Sequence, residues 1–399
     1  MPPLRPLLLA ACLTASVAHA ETPGDRVRVG VLTDMSGPFT DEVGAGSVAA
    51  ARLAAQDFAA ESGGLTVEII AADHQNKPDV GSAIARRWLG EEGVGAVVDL
   101  PNSGVALAVA TVAHDLHRVA LASSAMTSAL TGKSCLPTTV QWVSDTWVQG
   151  RSMAAGLVPQ GGRSWYFLTV NYALGLALET DAREAVEALG GVVVGANRQP
   201  LGTTDFAAPL LQAQNSGAGV LALATTGTDM INAVKQAREF GVTPKMTPAA
   251  LFAELTDIEA MGLAVAQGLE LTEAFYWDLN DGTRAWSRRF AAVMGGRMPT
   301  EDQAGVYSAT LAYLRAVRDA RTIEGEQVVA AMRRAPIDDP LFGRVTIRAD
   351  GRAVHDMYRF RVKSPAESGG PHDVYVPLAT IPAAAAFRPL AAGGCPLVK

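Results

Sequence analysis

One alternation constrains this chain more than any other feature: apolar runs of strand length followed, again and again, by segments with helical apolar spacing. RVRVGVLTD (26–34) reads as a buried strand, Val43 to Glu61 carries the i, i+3, i+4 pattern of a helix, and LTVEIIAAD (65–73) returns as a strand. Pro78 then opens a helix through Trp88, GAVVDL (95–100) is a strand, Val105 to His114 a helix, and VALASS (119–124) a strand. Strands alternating with helices of this length demand a parallel sheet covered on both faces. After an irregular stretch from Thr131 to Thr139 the same grammar restarts: SWYFLTV, GGVVVGA, GVLALAT and GLELTEAF are strands, while Tyr172–Leu189, Phe206–Ser216, Thr228–Phe240 and Thr256–Val265 are helical. The expected fold is α/β, two doubly wound parallel-sheet lobes in one chain. Beyond Asp278 the helices Gln303–Arg321 and Gly325–Arg334 and the strands near 343–347 and 357–362 are too few for a third core, so they are expected to complete the first two lobes.

The ends narrow the class. Residues 1–20, MPPLRPLLLAACLTASVAHA, have one positive charge at Arg5, an apolar stretch and small residues flanking His19, the pattern of a cleavable secretory signal. The competing lipoprotein box ending at Cys12 is preceded by a very short apolar run, which favours a periplasmic protein over an anchored one. Removal of the signal leaves two of three cysteines, Cys135 and Cys395; in an oxidising compartment that is the arithmetic of one disulfide, the alternative being two buried thiols. A net charge of −7 provides no basic surface, so nucleic acid is not an expected partner.

Catalytic motifs fail one by one. Gly44-Ala45-Gly46 lies about ten residues beyond the end of its strand, too far for a dinucleotide turn. Gly132-Lys133-Ser134 lacks the first glycine of a phosphate loop, since position 127 is Thr127. His114 and His117 have no accompanying glutamate, so no metal is expected, and no nucleophile elbow is present. The reading is a binding protein without a cofactor rather than an enzyme.

In open parallel sheets, ligands bind beyond the carboxyl ends of the strands. Those loops are rich in hydroxyls and helix starts: Asp34-Met35-Ser36-Gly37-Pro38-Phe39, Pro101-Asn102-Ser103-Gly104 and Ser124-Ala125-Met126-Thr127-Ser128 in the first lobe, and Asn171-Tyr172, Thr225-Thr226-Gly227-Thr228 and Phe252-Ala253-Glu254 in the second. Helix N-termini with flanking hydroxyls suit an anion, although ordinary capping explains any one loop alone. The candidate contacts are Ser36, Phe39, Asn102, Ser103, Ser124, Thr226 and Gly227, with Tyr172 as a stacking surface and Glu254 as a partner for an ammonium. Equally, Tyr172 reads as a strand-end core residue and Glu254 as a helix-start acid.

The segments VRVGVLTDMSGPF, ADHQNKPDVGSAIARRW, ALASSAMTSALTG, NYALGLALETDA, FYWDLNDGTRAWSRRF and RADGRAVHDMYRF resemble the type I periplasmic solute-binding proteins of the leucine/isoleucine/valine-binding family, over essentially the whole mature chain. The resemblance implies a three-crossover hinge, with lobes at 21–141 plus 278–353 and 142–277 plus 354–399, and an inner-membrane ABC permease as partner. It implies that Ser103, Ala125 and Thr127 hold a ligand carboxylate, and it matches Tyr172 and, loosely, Glu254 to the family's binding residues. LFAELTD around Glu254 lacks the glycine-rich turn of the amino-acid binders, so the expected ligand widens to an amino acid or an aromatic acid. Trp142, Trp147 and Trp277 near the crossovers fit the bulkier choice. The alternatives are an extracytoplasmic sensor on the same fold and a binder of amides or urea-like compounds.

Overall fold

The computed structural model describes residues 25–243 and 245–398; the signal sequence and Cys12 lie outside them. The first half-fold runs β1 (Arg26–Thr33), α1 (Gly44–Ala59), β2 (Thr66–Asp73), α2 (Pro78–Gly90), β3 (Val94–Asp99), α3 (Ser103–Asp115), β4 (Val119–Ala122), β5 (Thr139–Gln141). The chain then passes through α4 (Thr146–Leu157) into β6 (Ser164–Val170), α5 (Ala173–Ala188), β7 (Val192–Gln199), α6 (Ala207–Asn215), β8 (Val220–Ala224), α7 (Gly227–Glu239), β9 (Thr247–Ala250), α8 (Leu255–Met261), α9 (Leu263–Ala266) and β10 (Glu270–Glu273). It returns with α10 (Asp281–Val293), α11 (Glu301–Ala320), α12 (Gly325–Met332), β11 (Ile337–Asp339), β12 (Gly343–Ile347) and β13 (Ala353–Val354), and finishes with β14 (Met357–Val362), β15 (Tyr375–Ile381) and α13 (Ala383–Ala386).

Two main sheets result. One is parallel throughout, in the order β2-β1-β3-β4-β5. The other, β15-β14-β10-β9-β8-β6-β7, is parallel except for β14 and β15, which close one edge antiparallel. Strands β3 and β8 are buried at every residue, as helices on both faces require, and this is why they read as unbroken apolar runs. The late helices complete the first sheet, α11 packing on α1 and β3, and β14 completes the second, as the sequence suggests; β15, which the sequence pattern does not mark, forms its outer edge.

Among the elements that escape the sequence pattern, α4 and β9 do so for physical reasons. Helix α4 is buried at nine of its twelve residues, so it has no polar face and no amphipathic stripe. Its Gly150 meets α5 backbone to backbone: a Cβ there would stand 2.6 Å from the Ala182 nitrogen. Strand β9 reads TPAA, and a proline inside a central strand argues against a strand because it removes a ladder donor.

Three segments connect the two sheets, and buried polar groups tie them together. Glu301, at the start of α11, accepts the N–H of Ser144 in the first segment (3.4 Å) and of Ala274 in the second (2.8 Å). In the third, Arg352 is fully buried, donates to the Val143 carbonyl and lies over the Phe387 ring at 4.8 Å, while His355 Nε2 stands 3.1 Å from the Trp142 carbonyl. Burial holds His355 down at about 4, so its ring is neutral. Cys135 and Cys395 form the disulfide, with Cα atoms 5.6 Å apart across 260 residues. It seats the C-terminal tail against residues 128–135, where Arg388 also donates to the Ser128 carbonyl.

Candidate functional site

The strand order reverses between β1 and β3 in the first sheet and between β6 and β8 in the second, and the loops leaving β1, β3 and β6 open into one cavity of about 360 Å³. Phe39, Asn102, Ser103, Ser124 and Thr127 line it from the first sheet and Tyr172 from the second. Six of the residues singled out from sequence thus share one hollow.

Local chemistry places them. The Asp34 carboxylate accepts the N–H of Gly37 (2.7 Å) and Phe39 (3.0 Å) and the Asn76 amide (2.5 Å), which fixes the loop that carries Phe39. After β3 the chain turns through two non-glycine residues with positive φ, Asp99 (89°) and Leu100 (68°), a costly conformation held by the buried sheet end. That turn aims Asn102 and Ser103 at the cleft. Asn102 Oδ1 then caps α3, accepting from Gly104 (2.9 Å) and Val105 (3.1 Å). Thr127 Oγ accepts from Ala129 N at 3.3 Å, so its own proton remains for another acceptor.

Five candidates stand off the cavity wall. Ser36 is exposed and its hydroxyl is taken by Asp73 at 2.5 Å. Ala125 is buried and its carbonyl accepts from Gln141 Nε2 at 2.7 Å. Thr226 and Gly227 form the start of α7 and do not line the cavity. Glu254 caps α8 in a reciprocal box with Asp257, and its Oε2 is buried without a partner. The tryptophans do not line the cavity either: Trp142 is wholly buried in the core and Trp277 packs against it. The aromatic lining is Phe39, Tyr172 and Phe252.

Glu42 and Asp302 line the cavity although neither stands out in the sequence. They meet because α11 clasps the entry to α1: Thr300 Oγ donates to the Glu42 carbonyl at 2.8 Å and Gln303 Nε2 to that of Val43 at 3.3 Å. Burial pushes Glu42 up to about 8, with Asp257, Asp41 and Asp34 adding to it. Asp302 is raised well above the carboxylate range by burial and then by Glu42 and Asp99. Glu254 and Glu273, both buried, are raised in the same way. Two carboxyl groups that burial favours in their protonated form thus line the cavity, together with the hydroxyls of the loops after β3 and β4.

Two α/β sheets whose carboxyl ends face each other across a ligand-sized hollow define a bilobal solute-binding protein. The chain belongs to the periplasmic binding protein family, whose model matches residues 26–371. It is similar to a branched-chain amino acid ABC transporter periplasmic ligand-binding protein of Burkholderia xenovorans (37% identity, 94% of this chain and all of that one, TM-score 0.90). Among curated relatives it is 28% identical over 266 residues, 65% of this chain and 67% of the relative, to the Leu/Ile/Val-binding protein homolog 6 of Brucella melitensis. A Rhodopseudomonas palustris solute-binding protein in complex with 4-hydroxybenzoate shares the fold (20% identity, 90% of this chain and 98% of that one, TM-score 0.78). The chain is a periplasmic substrate-binding protein of the ABC-transporter type, a ligand binder and not an enzyme.

Proposed function

We propose that this protein captures a small carboxylate-bearing solute, an amino acid or an aromatic acid, between two hinged lobes and presents it to an inner-membrane ABC permease after export by the signal at 1–20. The lobes are 21–141 plus 278–353 and 142–277 plus 354–399, with the disulfide fastening the end of the second to the first. The observation that carries this reading is the single hollow shared by Ser103, Thr127 and Tyr172. Ser103 stands at the N-terminus of α3, where the helix dipole favours a negative head group. Phe39 and Phe252 supply apolar surface for the body of the solute.

Closure follows if the solute bridges the two rims, since a ligand shifts a hinge only by the contacts it makes in one state and not in the other. The relatives support both ligand types, branched-chain amino acids by name in one and 4-hydroxybenzoate in another. A thermal-shift screen of amino acids, hydroxybenzoates and amides tests the reading, since a ligand at 100 times its Kd adds about 2.7 kcal/mol to stability. A shift by carboxylates alone supports it; a shift by amides alone replaces it with the amide-binding alternative.

A further inference from the structure

Two hydroxyls in the cavity wall have their protons already committed. Ser124 Oγ donates to Asp99 Oδ1, and Thr146 Oγ donates to Asp181 Oδ2 at 2.7 Å. Both hydroxyl residues line the cavity, Ser124 from the loop after β4 and Thr146 from the first turn of α4. A serine or threonine hydroxyl has one proton and two lone pairs, so once the proton points backwards at a carboxylate, only lone pairs face forwards. Asp99 is wholly buried. Burial raises Asp99 and Asp181 only to about 6, so at neutral pH each is ionised and accepts without donating.

Resting on the carboxylate-capture reading above, we propose that Asp99 and Asp181 act as positioning residues that turn Ser124 and Thr146 into obligate acceptors, and that these two form an accepting wall that selects a solute carrying a hydrogen-bond donor as well as its acid group. Ser103 and Thr127 keep their protons for the carboxylate, and Ser124 and Thr146 take a hydroxyl, ammonium or N–H. A carboxylate of equal size without a donor leaves the wall's lone pairs desolvated and unmatched, and sites built to bond an N–H or O–H reject the analogue lacking it strongly.

Matched pairs test this on the full mature protein by calorimetry: L-leucine against 4-methylpentanoate, 4-hydroxybenzoate against benzoate, and isobutyramide against its N,N-dimethyl form. The expected result is a preference of about 100-fold or more for the donor-bearing member of the pair that binds. In the Ser124→Ala, Thr146→Val double variant that preference is expected to shrink to about tenfold or less. Asp99→Asn, whose amide can turn its NH₂ toward Ser124 and free the hydroxyl proton, is expected to shrink it by tightening the donor-free member, which loss of structure would not do.

Equal binding of both members to the wild-type protein overturns the accepting wall and leaves carboxylate capture standing, and it needs no variant to fold. Binding of isobutyramide over its dimethyl form, with no carboxylate bound, supports the wall and overturns carboxylate capture. Binding by none of the six overturns both.

Discussion

Glu301 accepts the backbone N–H of Ala274 at 2.8 Å, and through this bond the start of α11 is fastened to the second of the three connections between the sheets. The same carboxylate reaches Ser144 in the first connection. Glu301 is wholly buried, with its acidity weakened chiefly by that burial. Glu301→Gln keeps an acceptor and removes a crowded charge, whereas Glu301→Ala leaves two buried N–H groups unpaired. An unsatisfied buried donor costs about 1–3 kcal/mol. Chemical denaturation should therefore show the alanine variant less stable than the glutamine variant by about 2–4 kcal/mol, and equal stabilities would deny Glu301 its fastening role.

The disulfide joins residues 260 apart, so it closes a long loop in the unfolded chain. Its loss is expected to cost about 4 kcal/mol, the scale for long loops. Melting with and without reductant measures this, and Cys395→Ser should reproduce the reduced value. An unchanged melting temperature would show that the tail contributes nothing through its tether.

Ser103→Ala combined with Thr127→Ala removes two hydroxyls on the anion-binding side without disturbing the Asn102 cap. Hydrogen bonds to charged groups are worth about 1.5–3 kcal/mol each, so calorimetry with whichever carboxylate emerges from the screen should show a loss of about 3–6 kcal/mol. Unchanged affinity would place the carboxylate elsewhere.

Stability should depend on pH through Glu42. Its folded pKa, about 8, lies above the ordinary 4.5, so the folded state holds the proton more tightly than the unfolded chain. A raised pKa contributes stability that is whole below 4.5 and fades as pH rises toward about 8. Glu42→Gln mimics the protonated form. Its melting temperature should match the wild type near pH 4.5 and exceed it by several degrees near pH 8. A difference independent of pH would count against burial of this carboxyl.

Much of the architecture was legible in the chain because strands covered on both faces must be continuously apolar and their covering helices must be striped. β1, β3, β6 and β8 announce themselves in this way. α4 did not, since a helix enclosed nearly all round has no stripe, and β9 did not, since Pro248 breaks the strand signal. The site divides along similar lines. Ser103, Thr127 and Tyr172 are found by asking which residues follow strand ends, a question about local order.

Glu42 and Asp302 are 260 residues apart and neither belongs to a motif. They share a wall only because Thr300 and Gln303 grip the backbone in front of α1. The direction in which the Ser124 hydroxyl points is likewise invisible in the chain, because it depends on Asp99 lying within reach. Period and burial, which act through neighbouring residues, were determined by the sequence itself: two parallel sheets, their covering helices and a polar rim at the strand ends. Charge crowding and hydroxyl polarity depend on distances of a few ångströms between remote segments, and only the packing of α11 on α1 and of β3 beside β4 decided those.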